Sequence, residues 1–431
     1  MNWIKWLFKG KGVKKWLFLA LLSILLVWNG VAWHYGGGII TLCLKLGYLD
    51  LANSLYRHTG AGPYLIYIFS IILLLYSIYR MVAAAVHQAT NTKLINLYEE
   101  ALNTQKMNAG PKIVAIGGGT GLSNFLYTVK NITSNITAIV AVTDDGGSSG
   151  RLRRDLGILP PGDVRNCLIA LSRSDVNLEE ILAYSFPKDS SLAGHNLGNL
   201  IMAGLMQSAD ADFAEAIERL SKVLALNGTV LPSTTDNVEI SAQMADGEIV
   251  HGETTMVKDK RQIKKVFLTP EDCKPLPQAL EAIKNADYIF LGPGSLYTSI
   301  ITNLMVPKMA DALKETSAKV YYICNIVTQP GEMECLKASQ YVEAINNHIG
   351  RKNFFNIIVN NGVFTKEQNK ELSDLNCRPV ACDSKKLRSM GLNVIAGDLI
   401  NAENIRKHDQ AKLSALILSE IEKQEHPVNI V

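Results

Sequence analysis

A strand, a glycine-rich loop, a helix and a second strand follow one another between residues 112 and 142. Lys112–Ile116 is a short apolar run that enters the glycine-rich loop Gly117–Gly121. Leu122–Val129 has helical spacing, with its apolar residues on one face, and Ile136–Val142 is a β-branched run typical of a buried strand. This order predicts the start of an α/β fold with a doubly wound parallel sheet.

The glycine-rich loop is a candidate phosphate site. Glycines let backbone N–H groups approach a phosphate closely, and the first turn of the following helix adds unpaired donors and a favourable dipole. The loop is not a complete GxGxxG motif, so a purely structural turn is the alternative. The candidate ligand residues are Gly117, Gly118, Gly119, Thr120 and Gly121.

The second strand ends in the run TDDGGSSGRLR, residues 143–153. Two adjacent acids at the carboxyl end of a strand lie where open α/β sheets bind ligands. One of them can hold a ribose hydroxyl or a divalent cation such as Mg²⁺, and the arginines can reach phosphate oxygens. The alternative is an acidic turn with solvated arginines. The candidates are Asp144, Asp145, Ser148, Ser149, Arg151 and Arg153.

Two further polar segments precede predicted helices. The run LPPGDVRNC, residues 159–167, is a turn that enters a helix, and its polar residues either bind ligand or only cap that helix. The run AGHNLGN, residues 193–199, places a histidine and two asparagines at another helix start; a structural histidine is the alternative there. The candidates are Asp163, Arg165, Asn166, His195, Asn196 and Asn199.

The order of strand and small-residue loop returns twice in the C-terminal half. Ala286–Leu291 runs into Gly292–Tyr297, and Val320–Cys324 runs into Asn325–Gly331. Neighbouring parallel strands would bring both loops to the same sheet edge as Gly117. Residues 228–268, with hairpin-like signals at Asp246-Gly247 and Asp259-Lys260, read as an antiparallel excursion from the core. The added candidates are Gly292, Gly294, Ser295, Asn325 and Gln329.

Several classes of function are disfavoured. The glycine loop has no Walker lysine, and the chain has no GxSxG elbow and no HExxH motif, which argues against P-loop hydrolysis, α/β-hydrolase chemistry and zincin chemistry. A net charge of +3 argues against a nucleic-acid partner. None of the seven cysteines forms a CxxC pair, so reduced, buried thiols are expected rather than disulfides or zinc.

Two uncharged stretches, Trp16–Trp33 and Ala61–Tyr79, precede the α/β region. Each nearly reaches the roughly 20 apolar residues of a membrane-spanning helix. Lysines before the first stretch, and Arg80 and Lys93 after the second, predict a hairpin in the cell membrane with both flanks cytoplasmic. The alternatives are a cleaved signal peptide for the first stretch and a buried soluble helix for the second.

Four segments follow from these patterns. They are a basic N-terminus (1–15), a two-helix transmembrane hairpin (16–86), a linker helix (87–110) and the α/β domain (111–431). Within the third segment, Leu94–Leu102 reads as a short helix and Asn103–Pro111 as a polar linker interrupted by Gly110 and Pro111.

Six motifs together resemble the bacterial gluconeogenesis factor family, which is related to 2-phospho-L-lactate transferase. They are GGGTGLS (117–123), TDDGGSSGRLR (143–153), LPPGDVRNCL (159–168), GHNLGNL (194–200), GPGSLYTS (292–299) and NIVTQPGE (325–332), and the resemblance covers about residues 111–420. It implies a Rossmann-like three-layer α/β/α fold that binds UDP-N-acetylglucosamine and acts in cell morphology and gluconeogenic growth. It also implies a regulator. Protein partners in cell-wall synthesis and a homo-oligomeric state are separate expectations for this chain.

The chain departs from the family pattern at two places. The transferase relatives carry a lysine soon after the glycine loop, where Leu122, Ser123 and Asn124 stand here. Typical members are soluble, whereas this chain has the predicted hairpin. The first hypothesis is therefore a membrane-anchored nucleotide-sugar sensor, and the second is a Mg²⁺-dependent transferase of a phosphorylated small molecule. A dinucleotide-dependent oxidoreductase is a third reading, which leaves the DDGGSSGRLR loop unexplained.

Overall fold

The chain divides into two units, residues 1–104 and residues 105–431. The computed structural model describes residues 13–34, 62–173, 176–208, 212–259, 261–332, 336–350, 354 and 356–425. The predicted basic N-terminus lies almost wholly outside these residues, as does the connection between the two predicted spans, residues 35–61.

The first unit contains helix α1 (Val13–His34) and most of helix α2 (Gly62–Asn108). Within the described residues, only the Tyr64–Ala83 part of α2 is long and apolar enough to cross a membrane, with 20 residues and a mean hydropathy of 2.0. The apolar part of α1, Trp16–Asn29, is shorter. Buried helices of soluble proteins and signal sequences share this composition, so the two-span hairpin stays a prediction.

The predicted linker at Asn103–Pro111 is wrong in its first part. Helix α2 continues without interruption through Leu94–Leu102 and ends at Asn108. Residues 103–108 are polar but include no helix breaker, and Gly110 and Pro111 follow only after the helix has ended. Polarity alone therefore did not mark the end of the helix.

A seven-stranded sheet forms the centre of the second unit, in the order β10-β9-β8-β7-β1-β2-β3 with every neighbouring pair parallel. This confirms the predicted parallel α/β fold with a Rossmann-like core. Its strands are β1 (Ile113–Gly117), β2 (Ile136–Val140), β3 (Thr229–Pro232), β7 (Tyr288–Leu291), β8 (Lys319–Ile323), β9 (Asn356–Asn360) and β10 (Asn393–Gly397).

Short helices connect these strands. The first, α3, buries Leu122, Phe125, Leu126 and Val129, which is the apolar face that the sequence spacing predicts. The helices are α3 (Gly119–Val129), α4 (Gly147–Leu156), α5 (Gly162–Leu171), α6 (Val176–Ala183), α7 (Leu197–Ser208), α8 (Phe213–Val223), α9 (Glu253–Lys258), α10 (Pro277–Lys284), a π-helix (Leu296–Ile301), α11 (Thr302–Met305), α12 (Met309–Glu315), α13 (Ala338–Ile349), α14 (Lys366–Asp374), α15 (Ser384–Ser389) and α16 (Gln410–Glu425).

The strand order reverses between β1 and β7. The chain runs outward from β1 through β2 to β3, then returns to the other side of β1 and continues outward from β7 to β10. In open α/β sheets this reversal leaves a crevice at the carboxyl ends of the two strands, and ligands bind there. Aromatic rings pack behind it, with the Phe290 ring 5.1 Å from that of Phe125 and 5.2 Å from that of Tyr321, centroid to centroid.

The antiparallel excursion is smaller than predicted. Residues 229–232 are strand β3 of the main sheet, because they pair in parallel with β2 and bury Val230 and Pro232. The antiparallel sheet has the order β5-β4-β6, with strands β4 (Glu239–Met244), β5 (Ile249–His251) and β6 (Ile263–Thr269). Asp246 and Gly247 form the β4–β5 turn as expected. The second hairpin signal is wrong at Asp259, which ends helix α9, and its other half, Lys260, lies outside the described residues.

Candidate functional site

Two small-residue loops meet at the reversal of strand order, one after β1 and one after β7. A side chain at Gly121 would place its Cβ 2.5 Å from the carbonyl oxygen of Pro293 and 2.9 Å from the Cα of Gly294. Only glycine permits this approach. The Asn303 amide secures the junction from behind, because its Nδ2 donates to the Gly117 carbonyl at 2.8 Å. The prediction that these loops share one sheet edge is confirmed.

A cavity of about 460 Å³ opens at this junction. Its size lies in the range of small-molecule sites. Segments from across the second unit line it, from Gly118 in the first loop to Leu413 in α16. Ten of the residues proposed from sequence lie on its wall, namely Gly118, Gly119, Thr120, Gly121, Asp144, Asp163, Gly294, Ser295, Asn325 and Gln329.

Four carboxyl groups, Asp144, Asp163, Glu253 and Glu332, line part of the cavity and are called the acid wall below. Burial, together with the charge of Asp144, raises the pKa of Asp163 to about 6. Burial likewise raises the pKa of Asp144, and it raises that of Glu253 well above its ordinary value, with the three other acids adding to the shift at Glu253. A raised pKa means that burial favours the neutral, protonated acid, and such shifts are common at functional sites.

Glu332 is the most deeply placed carboxyl of the acid wall. Its Oε1 accepts a hydrogen bond from the Thr298 hydroxyl at 3.1 Å. Its Oε2 is buried and makes no hydrogen bond of normal geometry to any described residue. Burial raises the pKa of Glu332 to about 7, although the Thr298 hydroxyl and the backbone amides of Tyr297 and Leu296 oppose the shift.

The first amide of helix α3 faces a carboxylate. The backbone N–H of Gly119 donates to Asp163, whose Oδ2 lies against Gly118. A negative group at a helix N-terminus is favourable. Asp163 therefore occupies one of the backbone donors of the glycine-rich loop, and the Gly119 amide is not available to a phosphate while this hydrogen bond is intact.

A second wall of the cavity carries basic residues. Arg406 and Lys407, called the basic wall below, have exposed side chains that border the cavity just before α16. The adjacent His408 has its Nε2 3.1 Å from the Cys324 carbonyl oxygen. A carbonyl only accepts, so Nε2 carries the proton, and burial lowers the pKa of His408 to about 4. The histidine is therefore neutral at physiological pH, and the positive charge comes from its two neighbours.

The two adjacent aspartates have separate tasks. Asp144 faces the cavity, and its Oδ1 accepts from the Gly146 amide at 2.9 Å. The Oδ1 of Asp145 instead accepts from the backbone N–H of Thr254 at 2.8 Å and from the Thr254 hydroxyl. Asp145 thereby holds the first turn of α9, next to Glu253. Of this pair, Asp144 is the residue placed to touch a ligand.

The other proposed residues lie outside the cavity lining, and most make protein contacts. The guanidinium of Arg153 donates to Asn237 and to the Val238 carbonyl, each at 2.7 Å. The guanidinium of Arg165 donates to Asn166 at 2.6 Å and to Asn199 at 2.8 Å. The Ser149 hydroxyl bonds to Asp144, Gly117 is the last residue of β1, and Gly292 directly follows β7.

A separate polar group forms beside helices α4 and α7. The Ser148 hydroxyl lies 3.2 Å from Nδ1 of His195, and the Arg151 guanidinium lies against Gly194. The Asn196 side chain accepts from the Gly198 amide at 3.0 Å, so it caps α7. His195 therefore contacts Ser148, whereas Asn199 contacts Arg165.

The family resemblance raises the question of Mg²⁺. The described residues include no group of three or more His, Cys, Asp or Glu side chains placed to hold a metal ion. Mg²⁺ usually takes one or two carboxylates and completes its shell with phosphate and water oxygens. Asp144 and Asp163, close enough for the first to raise the pKa of the second, fit that smaller requirement. Asp145 does not fit it, since the Thr254 donors occupy one of its oxygens.

Sequence reasoning missed several residues of the site. Glu332 closes the NIVTQPGE motif, so the motif itself offered a signal for it. Glu253 lies in the antiparallel region and Arg406 and Lys407 lie beyond β10, and their local sequences carry no recognised pattern. Among the described cysteines, 167, 273, 377 and 382 are free thiols and Cys324 is buried, whereas Cys43 and Cys335 lie outside the described residues.

Comparison with known proteins places this geometry in a family. Residues 113–400 match the family model of 2-phospho-L-lactate transferase CofD. A gluconeogenesis factor from Bacillus subtilis is 44% identical over 313 residues, which cover 72% of this chain and 98% of that protein. A Clostridium acetobutylicum relative of the same family is 38% identical over 434 residues, 98% of this chain and 92% of that protein, so the match includes the N-terminal unit.

A solved structure supports the same assignment. The crystal structure of a UPF0052 family member from Bacillus halodurans superimposes with a TM-score of 0.69 at 43% sequence identity, and it covers 72% of this chain and 99% of that one. This chain belongs to the gluconeogenesis factor family and carries a CofD-like domain.

Proposed function

We propose that the chain is a regulatory protein that binds a nucleotide sugar of the UDP-N-acetylglucosamine type in the cavity between the β1 and β7 loops. The observation that carries the proposal is the separation of charge on the cavity wall, where four carboxyl groups and two basic side chains lie on different segments. A nucleotide sugar has the matching character, because its diphosphate is anionic and its sugar is rich in hydroxyl donors.

The basic wall suits the diphosphate. Arginine and lysine bind phosphate oxygens through charge-assisted hydrogen bonds. The amides of Thr120 and Gly121, at the start of α3, are further neutral donors on the cavity wall. The acid wall suits hydroxyl groups, because carboxylate oxygens accept hydrogen bonds from them.

His408 is a poor candidate for a general base. A general base works best when its pKa lies near the operating pH. Burial lowers the pKa of His408 to about 4 and a backbone carbonyl holds its Nε2, so it is a weak base. The name of the family, gluconeogenesis factor, agrees with a sensor that passes the ligand state to protein partners in gluconeogenic growth, and partners in cell-wall synthesis are a further part of this proposal.

Membrane attachment through the N-terminal unit is part of the proposal. The Tyr64–Ala83 stretch supports one span, and the uncharged Trp16–Trp33 sequence supports the other. Resistance of the chain to alkaline carbonate extraction is expected, with single cysteines near residues 5 and 93 labelled only from the cytoplasmic side. Release into the soluble fraction, or labelling of either position from outside, contradicts the hairpin.

Calorimetric titration of the full chain in detergent tests the ligand. Binding of UDP-N-acetylglucosamine is expected, weaker binding of UDP, and none of the free sugar at the same concentration. The midpoint temperature of thermal unfolding should rise as ligand is added, because binding to the folded state stabilises it by mass action. Absence of both signals at millimolar ligand contradicts the proposal. Light scattering on the same sample tests the expected homo-oligomer.

A Mg²⁺-dependent transferase is the second candidate, and the proximity of Asp144 and Asp163 favours it. Mg²⁺ held there would supply charge neutralisation for a transferring phosphate. Turnover of nucleotide-activated phosphorylated donors with Mg²⁺ is the measurement. An Asp144→Asn variant should lose any such rate, and a rate that is unaffected by Mg²⁺ and by this change contradicts the candidate.

A further inference from the structure

The carboxyl group of Glu332 has hydrogen-bonding capacity that the described residues do not fully use. Its Oε1 accepts from Thr298, whereas its buried Oε2 makes no hydrogen bond of normal geometry to a described residue. A buried polar atom without a partner costs about 1–3 kcal/mol. Glu332 borders the cavity, so a ligand donor is placed to complete this carboxyl group.

Helix α9 brings a second carboxyl group to the same place. A side chain at Gly331 would collide with the Val257 carbonyl oxygen, so the loop after β8 lies directly on α9. This packing sets Glu253, the first residue of α9, near Glu332, and the Thr298 hydroxyl, which donates to Glu332, also lies beside Glu253. The pair is thus held by backbone packing from two distant parts of the chain.

The surroundings of this pair repel an anion. The charges that act on Glu253 are those of Asp144, Asp163 and Glu332, which are all acids. A diphosphate placed here would meet like charge in a poorly solvated site, which is strongly unfavourable. The uncharged end of the ligand, which carries hydroxyl and amide N–H groups, has the chemistry that two carboxyl groups can bind.

We propose that Glu332, supported by Glu253, binds the sugar of the nucleotide sugar and thereby distinguishes it from the free nucleoside diphosphate. This inference rests on the proposed function and adds the orientation of the ligand, with the diphosphate at Arg406 and Lys407 and the sugar at the acid wall. Glu332 is a specificity residue in this assignment and takes no part in a reaction.

Calorimetric titration of the full chain in detergent with UDP-N-acetylglucosamine and with UDP tests the assignment. Glu332→Ala is expected to weaken binding of UDP-N-acetylglucosamine at least about tenfold and to leave the affinity for UDP unchanged. Glu332→Gln, which keeps a donor and an acceptor, should fall between wild type and Glu332→Ala. Glu371→Gln on the exposed face of α14 is the matched control and should bind both ligands as wild type does.

The outcomes separate the two proposals. Equal losses for both ligands in Glu332→Ala, or no loss for either, overturn the role of Glu332 while leaving nucleotide-sugar binding in place. Wild type that binds UDP as tightly as the nucleotide sugar also overturns it. Wild type that binds neither ligand overturns the proposed function and this inference with it. Thermal unfolding of each variant shows whether a lost affinity reflects a lost fold.

Discussion

The acid wall and the basic wall of the cavity are built in opposite ways. The acids are held by the fold, with Asp163 bonded to the Gly119 amide and Glu332 to the Thr298 hydroxyl. The basic residues Arg406 and Lys407 are exposed at the rim, just ahead of α16. One wall is therefore fixed before a ligand arrives, while the side chains of the other are free to adjust to it.

This difference indicates which residues of the cavity lower the stability of the fold and which do not. A buried carboxylate without a cationic partner destabilises the folded state, and such groups are retained mainly where they have a task. An exposed arginine or lysine has little desolvation cost and adds little to stability. Changes at the acid wall should therefore alter folding strongly, whereas changes at the basic wall should alter binding alone.

The largest effect on stability is expected at helix α3, because this helix is in contact with elements of both walls. Helix α3 carries the Gly119 amide that faces Asp163, and it also packs against α16. Gly121→Ala in this helix forces a Cβ into the Pro293 carbonyl and should cost about 3 kcal/mol or more. Gly204→Ala in α7 has open space at its Cβ and should stabilise the chain slightly. Urea unfolding that ranks the two variants equally contradicts the close approach of the loops.

The acid wall should make stability depend on pH. The folded-state pKa of Glu332, about 7, exceeds the ordinary value of 4.5, so the folded chain retains a proton that the unfolded chain has lost between those values. Ionised Glu332 therefore destabilises the fold increasingly as pH rises from about 4.5, with the full cost present above about 7.

Glu332→Gln removes that titration. The variant should exceed wild type in free energy of unfolding by up to about 3 kcal/mol at pH 8.5 and by little at pH 4. Denaturant unfolding at several pH values measures the difference. A gain that is the same at every pH would show that Glu332 ionises normally.

Substitutions at the basic wall should change ligand affinity rather than stability. The double variant Arg406→Ala/Lys407→Ala is expected to bind both UDP-N-acetylglucosamine and UDP about 30-fold more weakly, a loss of roughly 2 kcal/mol in binding free energy. Its unfolding curve should be unchanged. Lys370→Ala, an exposed lysine on α14, is the charge-matched control. The effect should shrink as salt is added, because exposed charges are screened. A loss confined to the nucleotide sugar would reverse the proposed orientation.

The smallest effect on stability is expected at Asp145, which holds the first turn of α9 beside the acid wall. Asp145→Asn weakens the hydrogen bonds to Thr254 and should cost about 1 kcal/mol in unfolding free energy. Asp144→Asn relieves repulsion in the cavity and should not destabilise the chain. Thermal unfolding of both variants checks this order, and the reverse order would exchange the roles assigned to the two aspartates.

The sequence predicted the frame of the site better than its charges. The loops at Gly117 and Gly292 were predicted because glycine-rich turns after apolar runs have a local signature, and parallel pairing then brings them together. Asp144 and Asp163 follow the same logic, since each lies in a polar run that begins a helix. The choice between Asp144 and Asp145 could not be made, because it depends on Thr254, which is distant in sequence.

Glu253, Arg406 and Lys407 could not be predicted for a related reason. Each lies in a segment of ordinary composition, and only the tertiary fold brings it to the cavity. Arg153 was a candidate because an arginine beside the glycine-rich loop can reach phosphate oxygens, and Arg165 and His195 were candidates because they lie at helix starts. In the folded chain they bond to Asn237, Asn199 and Ser148, so their polarity serves packing between helices and loops.

The spread of the lining along the chain, from Gly118 to Leu413, has a consequence for how the protein reports its ligand. A ligand that contacts the Gly118 and Leu413 segments together connects residues from almost the whole length of the second unit. Its arrival should slow amide hydrogen exchange in β1, in α9 and at the start of α16 together, although these lie far apart in sequence. Because the stabilisation extends over several distant segments, a partner protein can respond to it at a surface away from the cavity.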